Sequence, residues 1–267
     1  MKNKPNKQIM CIMIDMEKES KYYQLLNKDK KFNYIPLLII LGVLVVEIVA
    51  EIFVSLILMV IPVDFKNSIL IFLGKLIPLL FLLIFLSDDF GNDFVKIKKR
   101  VTYYLIFLLV AGISFYVIEI LLSVYQQVMD QLFEAGEATN QEELIEYFKD
   151  SSSIANYILL ALALIVIAPL LEELEFRALI FKTFNKAHPI IPILISGLLF
   201  GLMHLNYQNL MVDFRELLYL PLYLVPGIAL GIIYQYSNRC IYMNVFIHMS
   251  VNLISFITII NSLGSEI

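Results

Sequence analysis

The chain has 267 residues, of which 60% are hydrophobic and 16% charged, and its formal net charge is −4. Soluble domains carry about 25% charged residues, so this composition excludes an ordinary soluble domain and reads as a polytopic membrane protein; the acidic balance gives no basis for a nucleic-acid partner. Two cysteines, Cys11 and Cys240, exclude a disulfide framework and a cysteine-based metal site.

In chain order, residues 1–34 form a basic segment with Lys2, Lys4, Lys7, Lys18, Lys21, Lys28, Lys30 and Lys31. It reads as a solvated cytosolic tail with room for one short surface helix. It is too long to be removed with the first apolar run, so no cleavable signal is expected. Taking about 20 apolar residues as one span, seven spans follow, near 35–61, 69–87, 102–127, 154–181, 190–206, 216–235 and 241–262. A break inside 207–235 raises the count to eight. The expected fold is therefore all-α, a transmembrane helical bundle of about seven to eight spans in the cell membrane.

Loop charges set the orientation. The 88–101 segment carries Lys96, Lys98, Lys99 and Arg100, and 182–188 carries Lys182 and Lys186, so both join the N-terminal tail on the cytoplasmic side. The acidic segment 126–153 alternates to the outer side. No internal repeat is present.

The cluster Glu172-Glu173-Leu174-Glu175-Phe176-Arg177 closes the apolar run from Tyr157 to Leu171. Each ionisable side chain at a helix centre costs roughly 2.5–3.5 kcal/mol on insertion scales, so such a cluster persists only if it is paired, faces a wet cavity or does chemistry. Glu173 and Arg177 are four apart and suit a helical ion pair; Glu172 points about 100° away from Glu173. His204 lies four residues after Phe200, and His248 four before Asn252, with Asn244 one turn earlier on the same face. His188, before Pro189, reads as a loop residue.

Depth matches these groups. Glu172 lies 15 residues before a turn near 187 and His204 lies 17 after it, which puts both roughly 22–26 Å from the turn. His248 lies 11 residues past a turn near 237, roughly 17 Å deep. The glutamate and both histidines can then converge. Glu47, Glu51, Lys75 and Glu119 read as helix-holding or interfacial groups without assigned chemistry.

A carboxylate sheltered from bulk water is a better base than a solvated one. Glutamate with histidine can activate water, and a second imidazole with an asparagine amide can donate to an oxyanion. The product is peptide-bond hydrolysis. Equally, Glu172, His204 and His248 are a donor set for a divalent metal such as zinc. No His-Glu-x-x-His or Gly-x-Gly-Asp motif occurs, and Ser196-Gly197 lacks the preceding glycine of a rhomboid-type serine motif.

Glu-Glu-x-x-x-Arg, Phe-x-x-x-His and His-x-x-x-Asn, in that order on separate helices, resemble the CPBP family of CAAX proteases and bacteriocin-processing (Abi) membrane proteins. The resemblance covers 154–262. It implies a catalytic helical core over 154–267, preceded by N-terminal transmembrane helices with an acidic extracytoplasmic loop over 35–153 and by the tail 1–34. It implies an intramembrane peptidase in which Glu172 is the base and His204 its partner, Glu173 and Arg177 organise the site, and His248 and Asn252 stabilise the oxyanion or help ligate a metal. Phe200 packs beneath His204 and is a candidate substrate contact. The substrate is then a peptide or membrane-associated protein, in bacteriocin processing, self-immunity or peptide signalling. The rival classes are a non-catalytic immunity protein that binds a partner and a proton-coupled transporter; the missing inverted repeats count against the transporter.

Overall fold

The apolar runs form helices in the computed structural model, which describes residues 21–28, 32–61, 65–133, 145–149 and 153–265. In lipid a backbone must satisfy its own hydrogen bonds, which leaves helices or closed barrels; no strand occurs among the described residues. We number the helices α1 (Lys21–Leu26), α2 (Tyr34–Val60), α3 (Lys66–Lys99), α4 (Val101–Phe133) and α5 (Ile154–Thr183). These are followed by α6 (Ile190–Met203), α7 (Tyr207–Leu210), a 3-10 turn Phe214–Tyr219 leading into α8 (Leu220–Tyr236), and α9 (Ile241–Ser265). Among the described residues, six helices are long and apolar enough to cross a membrane: α2, α3, α4, α5, the run Phe214–Tyr236, and α9. The chain is a multi-pass membrane protein.

Three expectations shift. The 190–206 run yields a helix of only 14 residues, about 21 Å long and short of the roughly 30 Å hydrocarbon core. It stops because Asn206 starts α7, accepting from the backbone N–H of Gln208 and Asn209 at 3.0 Å. The 88–101 segment is not a loop: α3 runs on to Lys99, since its charged residues end the lipid-compatible stretch without ending the helix. Of the tail 1–34, α1 packs Leu26 into the core at 1% exposure. Residues 1–20, and 134–144 of the acidic segment, lie outside the described residues.

The largest core cluster joins Val43 of α2, Leu79, Leu82 and Leu86 of α3, and Leu171 and Leu174 of α5. α4 turns Leu105, Leu109 and Leu121 outward, as a lipid-facing helix must. α6 and α8 approach closely because glycines face each other: a Cβ on Gly227 would sit 3.0 Å from the Gly197 carbonyl oxygen.

Side chains fix the ends. Asn33 caps α2 by accepting from Ile35 N–H at 3.2 Å and donates to Leu25 and Leu26 carbonyls in α1. Asp93, near the end of α3, accepts from the first N–H of α9, Ile241, at 2.7 Å while pairing with Lys96 at 2.6 Å. The turn before α9 holds Asn238 and Arg239 at positive φ (59° and 53°). Arg239 is anchored there by donating to Asn185 Oδ1 at 2.7 Å.

Candidate active site

α5 is not uniform: it widens into π turns at Leu162–Ile167 and Leu174–Leu179. Such turns cost regular hydrogen bonding and recur at functional sites. The second one carries Glu175 and Arg177. Arg177 Nε lies 3.3 Å from Glu173 Oε2, both side chains fully buried. Arg177 Nη2 also donates to Gly227 O at 3.1 Å, and the guanidinium lies 4.7 Å from the Phe200 ring centre.

Glu173 is the hub. Its Oε1 accepts from His248 Nδ1 at 2.9 Å and its Oε2 from Asn244 Nδ2 at 3.1 Å. Asn244 also donates to Leu230 O at 2.7 Å, tying α8 to the same point. A carboxylate at His248 Nδ1 fixes the hydrogen on that nitrogen and directs Nε2 elsewhere. That Nε2 lies 3.6 Å from Glu172 Oε2, whose side chain is 18% exposed. The adjacent glutamates therefore divide: Glu173 is sealed behind the site, and Glu172 faces a cavity.

That cavity has a volume of about 360 Å³. Glu172, Phe200, His204, His248 and Asn252 line it, with Glu119 and Gln126 from α4 and Leu222, Tyr223 and Pro226 from α8. His204 Nδ1 meets Phe200 O at 2.8 Å. A carbonyl can only accept, so His204 Nδ1 carries the hydrogen and Nε2 is the free nitrogen. The His204 ring stacks on Tyr223, centroids 4.9 Å apart, and leans on Phe200 at 4.4 Å. Phe200 is 4% exposed, packed between Arg177 and His204. Asn252 Nδ2 donates to Leu164 O, in the first π turn, at 2.8 Å, leaving its second amide hydrogen. Pro226 has no N–H to offer the carbonyl of Leu222, so the α8 wall contains one helical carbonyl without its usual donor.

The six residues named from sequence thus gather around one cavity and its rear wall, but the contacts are redistributed. Glu172 meets His248 directly, and its relation to His204 is electrostatic across the cavity. Asn244 joins through Glu173. Glu119 lines the cavity within electrostatic reach of His248; the only signal for it was a lone carboxylate deep in an apolar helix. Among the described residues, no group of three or more His, Cys, Asp or Glu is arranged to hold a metal ion. His248 Nδ1 donates its hydrogen to Glu173 and His204 Nδ1 its own to Phe200 O, so each ring keeps its Nε2 lone pair.

A family model described as type II CAAX prenyl endopeptidase Rce1-like matches residues 154–254. No curated protein and no solved structure matches the chain.

Proposed function

We infer, from the match of residues 154–254 to the Rce1-like CAAX prenyl endopeptidase model, that this chain is an intramembrane endopeptidase working through a glutamate-activated water. One observation carries the reading: Glu172 and the free Nε2 atoms of two imidazoles share a cavity, while Glu173 is buried where it can only organise. A water in the cavity gives its proton to Glu172, and the resulting hydroxide adds to the scissile carbonyl carbon. The second Asn252 amide hydrogen donates to the oxyanion. Collapse of the intermediate breaks the C–N bond as Glu172 returns the proton to the leaving amine. His204 Nε2 accepts from the water and aims it.

The metal-free reading is supported by the absence, among the described residues, of three or more His, Cys, Asp or Glu side chains grouped closely enough to hold an ion. The substrate is a peptide or membrane-associated protein. A second cavity of about 280 Å³, lined by Phe107, Val110, Ala111, Ala229 and Ile233 among others, shares Phe115 with the first. Its apolar walls suit an aliphatic or isoprenoid chain on the substrate. Processing of bacteriocins or signalling peptides, and self-immunity, are the roles this chemistry serves.

The test is cleavage of a reporter peptide in proteoliposomes. Glu172→Gln should lower the rate by roughly 10²–10⁴-fold with the protein still folded, and His204→Ala should do the same. Full activity in Glu172→Gln removes it as the base. A cellular phenotype that survives both changes points to partner binding, and proton flux without cleavage points to transport. A strong chelator should leave the rate unchanged; loss that zinc restores would overturn the metal-free mechanism.

A further inference from the structure

α8 carries Pro226 in its interior. A helical carbonyl accepts from the N–H four residues later, and a prolyl nitrogen has no hydrogen to give. Leu222 O is therefore without that donor. Leu222 and Pro226 both line the cavity that holds Glu172, His204 and Asn252. Residues four apart share one helix face, and a helical carbonyl points along the axis toward the residue four ahead. The acceptor thus lies on the cavity side of α8. It is one residue from Tyr223, whose ring stacks on His204 with centroids 4.9 Å apart.

Two other carbonyls of α8 already serve the rear wall. Gly227 O accepts from Arg177 Nη2 at 3.1 Å and Leu230 O from Asn244 Nδ2 at 2.7 Å. Leu222 O instead borders the space a substrate must enter. The wall across from it is polar as well: Glu119, Ser123 and Gln126 of α4 line the cavity, spaced four and three apart on one helix face. The Gln126 side-chain amide carries a donor and an acceptor, as a peptide unit does. Space then selects the shape of what binds. One turn of a helix, about 5.4 Å of a cylinder about 10 Å across, occupies roughly 420 Å³, more than the cavity's volume of about 360 Å³. An extended segment is slimmer, and its backbone N–H groups, unlike those of a helix, arrive without partners.

We propose that Leu222 O is a substrate-binding acceptor: it takes one backbone N–H of an extended peptide laid between α8 and α4, with the Gln126 amide on the opposite side. The inference rests on the peptidase reading and narrows its substrate to a segment that is extended where it is cut. Pro226 then has a task beyond bending α8, which is to keep that carbonyl open. A residue with an N–H at 226 would close it from within the helix.

Cleavage of a reporter peptide in proteoliposomes tests this, with KM and kcat read separately. Amides of the peptide other than the scissile one are replaced singly by esters, each removing one N–H. One position near the cut should raise KM about three- to tenfold in the wild-type protein. Pro226→Ala, which gives Leu222 O an N–H, should raise KM for the all-amide peptide by a similar factor, and the ester at that position should then cost nothing further. Wild-type KM in Pro226→Ala overturns the proposal, as do ester and Pro226→Ala effects that multiply. Where Pro226→Ala does not fold, the wild-type scan decides: a KM rise confined to one position beside the cut supports the proposal, and no rise at any position overturns it. Glu172→Gln on the all-amide peptide separates the two readings. Activity in that variant sinks the base assignment, whereas an inactive Glu172→Gln beside a wild-type KM in Pro226→Ala sinks only the role of Leu222.

Discussion

Glu173 and Arg177 each make the other tolerable. Both are fully buried, and removing one partner of a buried pair leaves an uncompensated charge worth about 3–5 kcal/mol. Arg177→Met and Glu173→Ala should therefore lower the melting temperature in detergent sharply, with cleavage lost through unfolding. Glu172→Gln, at the cavity wall, should melt like wild type. The i, i+4 spacing was enough to read the pair. It was not enough to read that Glu173, with its back to the cavity, takes His248 Nδ1 and Asn244, because those bonds cross 75 and 71 residues of chain. Cys240 is a second residue-scale case. It is 0% exposed, and burial pushes its thiol up to about 11. In native protein it should resist maleimide near neutral pH and react only after denaturation, as mass spectrometry would show.

At the scale of elements, the α6–α8 contact sets where His204 stands. A Cβ on Gly197 would lie 2.5 Å from Ile228 Cγ1 and 2.8 Å from its backbone nitrogen, and a backbone atom cannot swing aside. Gly197→Ala should cost about 1–3 kcal/mol and reduce cleavage, while Gly112→Ala, with nothing within 4 Å, should do neither. Melting and cleavage measured on both check this. Hydropathy found α6 and overran it. The run through Leu205 is apolar, but Asn206 restarts the chain as α7. The four-residue glycine spacings 197/201 and 227/231 permit close packing but do not say which helices pair. Hydropathy also ended the second span at 87, where lipid compatibility stops, while the helix itself carries on for three more turns.

At the scale of the molecule, one polar end gathers Asn27, Asp89, Lys96, Lys182 and Arg239. At the other end, α4 meets the 3-10 segment through Tyr125 and Arg215, which donate to Leu218 O and Phe133 O. The helices alternate between these ends, so the chain should finish on the side opposite α1, with the basic end in the cytoplasm. Impermeant thiol labelling of single cysteines added beyond residue 265 and before residue 21 should mark opposite faces. The helical class and six of the spans were legible because periodicity and length are local properties. The approach of α4 and of the α2–α3 pair to the site was not, because no short turn ties them to it. Asp93 shows what that distant half contributes. By holding the first N–H of α9, it sets a zero mark for a helix on which His248 stands seven residues, about 10 Å, further along. That helix is thus a ruler clamped at its foot. One residue inserted between 241 and 248 would turn the imidazole by about 100° and lift it by about 1.5 Å, off both glutamates, whereas the same insertion after Asn252 would leave the scale intact.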